Sequence, residues 1–436
     1  MGQRIAIVGS GISGLGAAWA LHEDNDIVIF EADSRVGGHS NTVDVATTSG
    51  VTSVDTGFIV YNEVTYPNLT RLFSYLNVPT EESDMSFAFS LDRRREYSAS
   101  FRGVLAQPTN LVRPRFVAML RDIERFRRVG NQLEPAKGES VGDLMRRYGF
   151  SDGFLEDYLY PMTGAIWSAG EDEISRFPAR SILRFLANHG LIEIVGRPSW
   201  RTVIGGSRSY VNRLTAGFRD KILVDSPVIE VVRDRDSVTV RTPHGARSFD
   251  QIVIATHSDQ ALRILGPEAS NHERELLGAI PYQDNIVVLH SDPRLMPTRR
   301  GTWSSWNAIA SREIPDRPVA SVTYWMNRLQ NLDPGFPLFV SLNPLDEPRS
   351  ELVHASFSYA HPKFDRRAVN AQRGIAAVQG HNRTWFAGAY LGYGFHEDGL
   401  QSGLDIAAAL GSPAPWHGSF ERMSSVQAPL SIGVST

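Results

Sequence analysis

The chain has 436 residues, 42% hydrophobic and 21% charged, with a net charge of −4 and no cysteine. Its length supports about two to three domain units. The missing cysteines exclude disulfides, thiolate metal sites and cysteine nucleophiles, and the overall charge gives no general attraction to nucleic acid.

Residues 4–9 read as a buried strand through Ile5, Ala6, Ile7 and Val8. No charged leader precedes it, so no secretory signal is expected. No apolar run approaches the roughly 18 residues of a spanning helix. Residues 14–22 follow as a helix with Gly16, Ala17, Ala18 and Ala20, and 27–31 as a second apolar strand. Strand, Gly-rich turn, helix and strand in that order predict a parallel βαβ unit.

Residues 66–78 read as a helix, with Pro67 where a first turn tolerates it. From about 108 to 200 the pattern is mostly helical, over 114–129, 140–149, 151–160 and 178–191. Phe116, Leu120, Ile123 and Phe126 recur there at helical spacing. Strand character returns over 222–224, 228–232, 237–241 and 251–255, then over 286–290, 320–325 and 352–359. A last strand, 384–387, leads through a Gly-rich loop into a helix over 399–410. Residues 411–436, rich in Ser, Pro and Gly, predict a loosely ordered tail.

The first turn carries a dinucleotide fingerprint, Gly9-Ser10-Gly11-Ile12-Ser13-Gly14. In GxGxxG the first glycine makes the turn, the second admits a pyrophosphate, and the third lets helix and strand pack closely. The helix N-terminus offers free N–H groups and a positive dipole end. Glu31, twenty residues after Gly11, is placed to bind a ribose diol and disfavours a 2′-phosphate.

The next residues, Glu31-Ala32-Asp33-Ser34-Arg35-Val36-Gly37-Gly38-His39, resemble the extended signature of the flavin amine oxidase and phytoene desaturase superfamily. Three more segments are similar to it: Ser226-Pro227-Val228-Ile229, Ile252-Val253-Ile254-Ala255-Thr256-His257, and Trp385-Phe386-Ala387-Gly388 followed by residues 394–403. The resemblance implies FAD, with Arg35, Gly37, Gly38 and His39 continuing the pyrophosphate cradle. It also implies that Val228 meets the adenine, Ala255 lines the site and Gly388 lies near the pyrophosphate. His396, Glu397, Gly399 and Leu400 would lie near flavin N1 and O2. Asp55-Thr56-Gly57-Phe58-Ile59-Val60-Tyr61 resembles the strand passing the flavin ring, with Gly57, Phe58 and Ile59 as contacts and Asp55 as a backbone holder.

The implied fold is α/β (α+β overall): a discontinuous Rossmann-like FAD domain (1–75, 200–280, 375–410) with an inserted substrate domain of helices and a mixed sheet (76–199, 281–374). His396 is the leading candidate for proton chemistry, since Glu397 and Asp398 beside it could bring its pKa into the working range. Tyr61 is the second.

The chain departs from the amine oxidases of that superfamily. Lysine occurs only at 137, 221 and 363, so the stretch 282–289 lacks the lysine many of them place near flavin N5. Phe395 stands where an aromatic tyrosine is usual, and Ala389 where an acid is usual. Thr302-Trp303-Ser304-Ser305-Trp306-Asn307, Thr323-Tyr324-Trp325-Met326-Asn327-Arg328-Leu329-Gln330 and Gly205-Gly206-Ser207-Arg208-Ser209-Tyr210 resemble another branch. It comprises bacterial FAD-dependent proteins of cyclopropane and methylated fatty acid synthesis, including desaturases of furan fatty acid formation. That resemblance implies desaturation of a methylated acyl chain, on a membrane phospholipid, by hydride transfer to flavin N5. The alternatives are an oxidase of an amine or isoprenoid, and a non-catalytic flavin-binding partner of a lipid methyltransferase.

Phe87, Phe89, Tyr160, Met162, Trp167, Phe185, Trp303, Trp306, Tyr324 and Trp325 are candidates to line an apolar tunnel, or plain core. Residues 92–128 hold ten arginines against four carboxylates, net +6, which leaves −10 for the remainder. That segment reads either as a solvated helical face or as a docking surface for anionic lipid. A cytoplasmic protein, peripheral on the inner membrane face, is the expected setting. No histidine spacing suggests a metal site.

Overall fold

The computed structural model describes residues 2–167, 169–188, 190–192, 198–311 and 321–417. These form two compact units, one of residues 2–38, 211–281 and 367–417, the other of 39–210 and 282–366. Residues 39–75 and 200–210, grouped with the flavin domain in the sequence reading, cluster with the second unit. Their backbone pairs there: Val60–Asn62 and Thr80–Ser83 both bond to Trp200–Val203.

In the first unit, five parallel strands run in the order Ile222–Leu223, Asp26–Phe30, Arg4–Val8, Gln251–Ile254, Thr384–Phe386. Ile5, Ala6 and Ile7 are wholly buried, as befits a central strand covered on both faces. The helix Ile12–Leu21 begins directly after Gly11. A three-stranded antiparallel sheet, Glu230–Arg233, Val238–Thr242 and Gly245–Phe249, completes the strands of this unit among the described residues. Val228 therefore precedes the strand it was expected to open. The final helix, His396–Ala409, starts three residues earlier than predicted, within the Gly-rich loop itself.

The expected loose tail is partly docked. Ser412 bonds to Asp24 and Asn25, and Trp416 stacks on Trp19 at 5.5 Å. Residues 418–436 lie outside the described residues.

The second unit centres on a seven-stranded sheet in the order Val353–Pro362, Tyr282–His290, Phe339–Leu342, Ser321–Trp325, Trp306–Ala310, Phe87–Leu91, Arg95–Ser98. All pairings are antiparallel except that between Trp306–Ala310 and Phe87–Leu91. Sequence periodicity missed the Phe87–Leu91/Arg95–Ser98 hairpin, whose turn residues Asp92 and Arg93 both have positive φ.

Register gives this sheet two unlike faces. One cross-strand row reads Ala355, Leu289, Val340, Tyr324, Trp306, Phe87, and the next row on that face reads Phe357, Val287, Leu342, Val322, Ala308, Phe89, Tyr97. The opposite face carries Ser356, Val288, Ser341, Thr323, Asn307, Ala88 and Ser98 in a row. Helical residues cover part of the aromatic face, with Tyr158 on Phe89 and Phe116 on Tyr97. Tyr158 belongs to a π-helical turn, Leu155–Leu159, inside the run from Asp152 to Trp167, a distortion that often accompanies function.

Candidate flavin site

The glycines of the first turn differ in what constrains them. A side chain on Gly14 would meet Gly9 O at 2.0 Å, and one on Gly9 would meet Ala255 O at 2.8 Å. Those two are fixed by packing inside the protein. Gly11 has nothing within 4 Å of where a Cβ would stand. Packing does not explain a glycine there, whereas close approach by a ligand does. Gly38, at φ +56°, lies over it, with its Cβ position 3.1 Å from the Gly11 Cα.

Glu31 is held in place by its neighbours. Its Oε2 accepts the Ser10 N–H at 2.8 Å and the Ser10 hydroxyl, and its Oε1 accepts the Asp33 N–H at 2.9 Å. A carboxylate has about four acceptor sites, so capacity remains for a ribose hydroxyl. Gly37 N–H donates to Ser10 O at 3.0 Å, and Arg35 Nη1 donates to Gly38 O at 2.7 Å. Arg35 thus braces the Gly37-Gly38 turn. Ser226 N–H donates to Glu31 O at 2.8 Å, which brings the chain beside Glu31 two residues before Val228.

The two distant glycine motifs meet. A Cβ on Gly399 would touch Ile12 and the Ser13 hydroxyl at 2.9 Å, and one on Gly403 would stand 2.1 Å from Ser13 O. Gly16 in turn faces Leu400. Small residues let the helices Ile12–Leu21 and His396–Ala409 cross in direct backbone contact. The first turns of the two helices therefore lie against each other, and each N-terminus offers free N–H groups and a positive dipole end to an anion. Gly388 is extended, and its N–H donates to the Ser402 hydroxyl at 2.9 Å.

Asp398, read from the sequence only as an acid beside His396, and Gln372, which the sequence does not single out, set the loop that precedes the final helix. Asp398 accepts the N–H groups of Tyr393 at 3.1 Å and Phe395 at 2.9 Å. Gln372 donates to Tyr390 O at 2.8 Å and Gly392 O at 2.6 Å. Asp398 is an N3 acid reaching back to its N-cap, a signal the sequence did contain. Gln372 carries no such signal. Burial pushes the Asp398 carboxyl up to about 6 and the His396 imidazole down to about 3. The expectation that neighbouring acids bring His396 into the working range is not met, because lost hydration outweighs them. The helix N-terminus opposes an imidazolium there as well. His396 is a neutral ring at physiological pH.

In the second unit, Asp55, Thr42, Ser207 and Gln330 form one buried cluster. Asp55 Oδ1 accepts the Thr42 hydroxyl at 2.6 Å, the Ser207 N–H at 2.8 Å and the Ser207 hydroxyl at 2.7 Å. Its Oδ2 accepts Gln330 Nε2 at 3.0 Å, and Gln330 Oε1 accepts the Asp55 N–H at 2.9 Å. Three motifs that were separate in sequence, 55–61, 205–210 and 323–330, meet at this carboxylate. Burial still raises it to about 6.

Gly57 packs without a side chain against His39 O, which accepts the Phe58 N–H at 2.8 Å; Ile59 O accepts the Thr202 hydroxyl at 2.9 Å. The His39 ring lies 4.9 Å from that of Tyr359. Tyr61 is enclosed by aromatic neighbours. It is 3% exposed, packed on Tyr66 and Phe73, with its hydroxyl 3.4 Å from Thr80 Oγ1. That makes Tyr61 a packing residue, and its expected proton chemistry is withdrawn.

Of the apolar candidates, Phe87, Phe89, Trp306 and Tyr324 share the aromatic sheet face. Trp325 is on the other face, with Trp303 against it at 5.5 Å. Tyr160, Met162, Trp167 and Phe185 are buried in the helical layer. The basic segment is largely tied up internally. Arg93 pairs with Asp346, Arg95 and Arg115 with Asp157, and Arg127 and Arg128 with Glu124, while Arg125 donates to Tyr148 O and Gly149 O. Among the described residues no helix is long and apolar enough to cross a membrane.

The chain is similar to known proteins in fold and, over its length, to one family. A fatty acid isomerase from P. acnes that produces CLA superposes with a TM-score of 0.68 at 15% identity, over 93% of this chain and 98% of that one. Cyclohexylamine oxidase from Brevibacterium oxydans IH-35A gives 0.68 at 17% identity, over 94% and 99%. Protoporphyrinogen oxidase 2 of Arabidopsis thaliana is 49% identical over 43 residues, which is 10% of this chain and 8% of that protein's length. The flavin-containing amine oxidoreductase family matches residues 12–411. The residues that would hold FAD are thus present and suitably arranged, and the chain belongs to the flavin-containing amine oxidoreductase family.

Proposed function

We propose that the protein is an FAD-dependent dehydrogenase of a methylated or otherwise modified fatty acyl chain, carried on a membrane phospholipid. FAD, when bound, supplies the two-electron acceptor. The observation that carries this reading is the inverted polarity of the seven-stranded sheet. Phe87, Trp306 and Tyr324, adjacent across three strands, remain half-buried, while Ser341, Thr323 and Asn307 on the other face are sealed. A half-accessible aromatic row with no carboxylate or lysine in it offers an alkyl chain a surface and an ammonium group no counter-ion. A fatty acid isomerase with the same fold is compatible with an acyl ligand.

Anaerobic mixing with a phospholipid carrying a methylated acyl chain tests this. Bleaching of the oxidised flavin band and a new double bond in the recovered lipid are expected. Bleaching only by amines or isoprenoids refutes the acyl reading. No bleaching by any of these favours a flavin-binding partner of a lipid methyltransferase.

A further inference from the structure

We propose that residues 105–121 form a membrane-docking surface whose tip, Leu111 and Val112, enters an anionic phospholipid bilayer. It builds on the phospholipid reading, yet its test needs no turnover, so the two can fail separately.

The segment turns its chemistry inside out. Gln107 and Asn110 are 6% and 0% exposed. Gln107 accepts the Glu96 N–H and donates to Arg94 O, and Asn110 donates to Glu96 O. Two polar side chains thus anchor the turn Pro108–Asn110 to the strand Arg95–Ser98. Next to them Val112 is 81% exposed, and Leu105, Leu111 and Val117 are 40%, 40% and 49% exposed. Burying amides while holding four branched aliphatics in water is unfavourable for a surface that meets only water. The tip is also rigid, since Arg113 N–H and Val117 N–H bond to Asn110 O and Arg113 O.

Charge selects the occupant. The helix Pro114–Val129 buries Phe116, Met119 and Phe126, and Val117 and Arg121, one turn apart, share its outer face. Arg121 is 74% exposed and Arg128 68%. The acids of this helix answer only part of that charge: Asp122, itself buried and accepting the Ser151 N–H, lies 3.6 Å from Arg121, and the single carboxylate of Glu124 serves both Arg127 and Arg128. Arg113 sits between the tip and the helix. An apolar tip adjoined by Arg113, with exposed Arg121 and Arg128 along the helix that follows it, matches hydrocarbon beneath anionic phosphates. Two copies docking through this same patch would oppose their arginines.

The test is co-sedimentation of the FAD-loaded protein with phosphatidylcholine vesicles, with and without phosphatidylglycerol. Binding to the anionic vesicles is expected, weakening with salt. Val112→Asp is expected to lower it about tenfold, and Arg113→Glu with Arg121→Glu about fivefold or more per residue. Flavin content and circular dichroism show whether each variant is folded, with Val112→Ala as a milder check. Failure of the wild type to bind, or wild-type binding by all folded variants, overturns the proposal. So does a wild-type dimer that Val112→Asp converts to monomer, which would mark the patch as a self-association face.

Discussion

The Asp55 cluster gives a prediction in which two large effects compete. Four donor groups favour the carboxylate, and burial disfavours it. Burial wins, and the group rises from the ordinary 3.8 to about 6. Between those values the folded protein holds a proton that the unfolded chain has lost. Stability contributed by this group is therefore fully present below about pH 4 and is lost as pH rises through 6. The difference of about two pH units corresponds to about 3 kcal/mol. His290 works the other way: burial lowers its pKa from 6.5 to about 4. Its contribution is present above pH 6.5 and is lost as pH falls through 4. Wild-type stability therefore mixes opposite slopes, and subtraction of a variant isolates one of them. Asp55→Asn keeps the shape but turns an amide N–H₂ toward the Ser207 N–H or Gln330 Nε2, and is expected to cost about 2–4 kcal/mol. Urea denaturation followed by tryptophan fluorescence, from pH 4 to pH 7.5, should show the wild-type advantage over Asp55→Asn shrinking by about 3 kcal/mol. A constant or growing advantage across that range would falsify the argument, since it would mean that the donors outweigh desolvation.

Four further outcomes follow from the same geometry. Glu31→Ala should weaken FAD binding roughly 10- to 100-fold, from lost charge-assisted bonds, and unchanged flavin titration would exclude a ribose role. Gly403→Ala forces a Cβ against Ser13 O and should cost about 1–3 kcal/mol, seen as a lower melting temperature and partial flavin loss; retention of both would mean the helix crossing can relax. His396→Gln should leave the shape of the pH profile for flavin reduction unchanged between pH 5 and 8, because the wild-type ring is already neutral there; loss of a titration near 6.5 would show it protonates. Tyr61→Phe should keep the reduction rate within about twofold and cost under about 1 kcal/mol; a large rate loss would restore it as a proton donor.

Much of the cofactor site was legible in the chain because its determinants are local. A strand, a tight turn and a helix N-terminus at fixed spacing are set within about thirty residues, and Glu31 falls at the end of the next strand by the same count. The helix at 114–129 was legible for the same reason, its apolar residues recurring once per turn. Elsewhere tertiary contact decided. Residues 396–398 read as Gly-rich loop, but backbone contact between Ser13 and Gly403 and the reach of Asp398 to Phe395 make them helical. Tyr61 looked reactive by position and became packing once Tyr66 and Phe73 closed around it. The arginines of 92–128 could be counted from the sequence, yet the acids that neutralise three of them, Arg93, Arg95 and Arg115, lie at 156, 157 and 346. Which face of the large sheet carries the aromatics depends on register among strands hundreds of residues apart. Short-range geometry thus specified the dinucleotide turn. The surface offered to a substrate depended on long-range pairing, which no local pattern encodes.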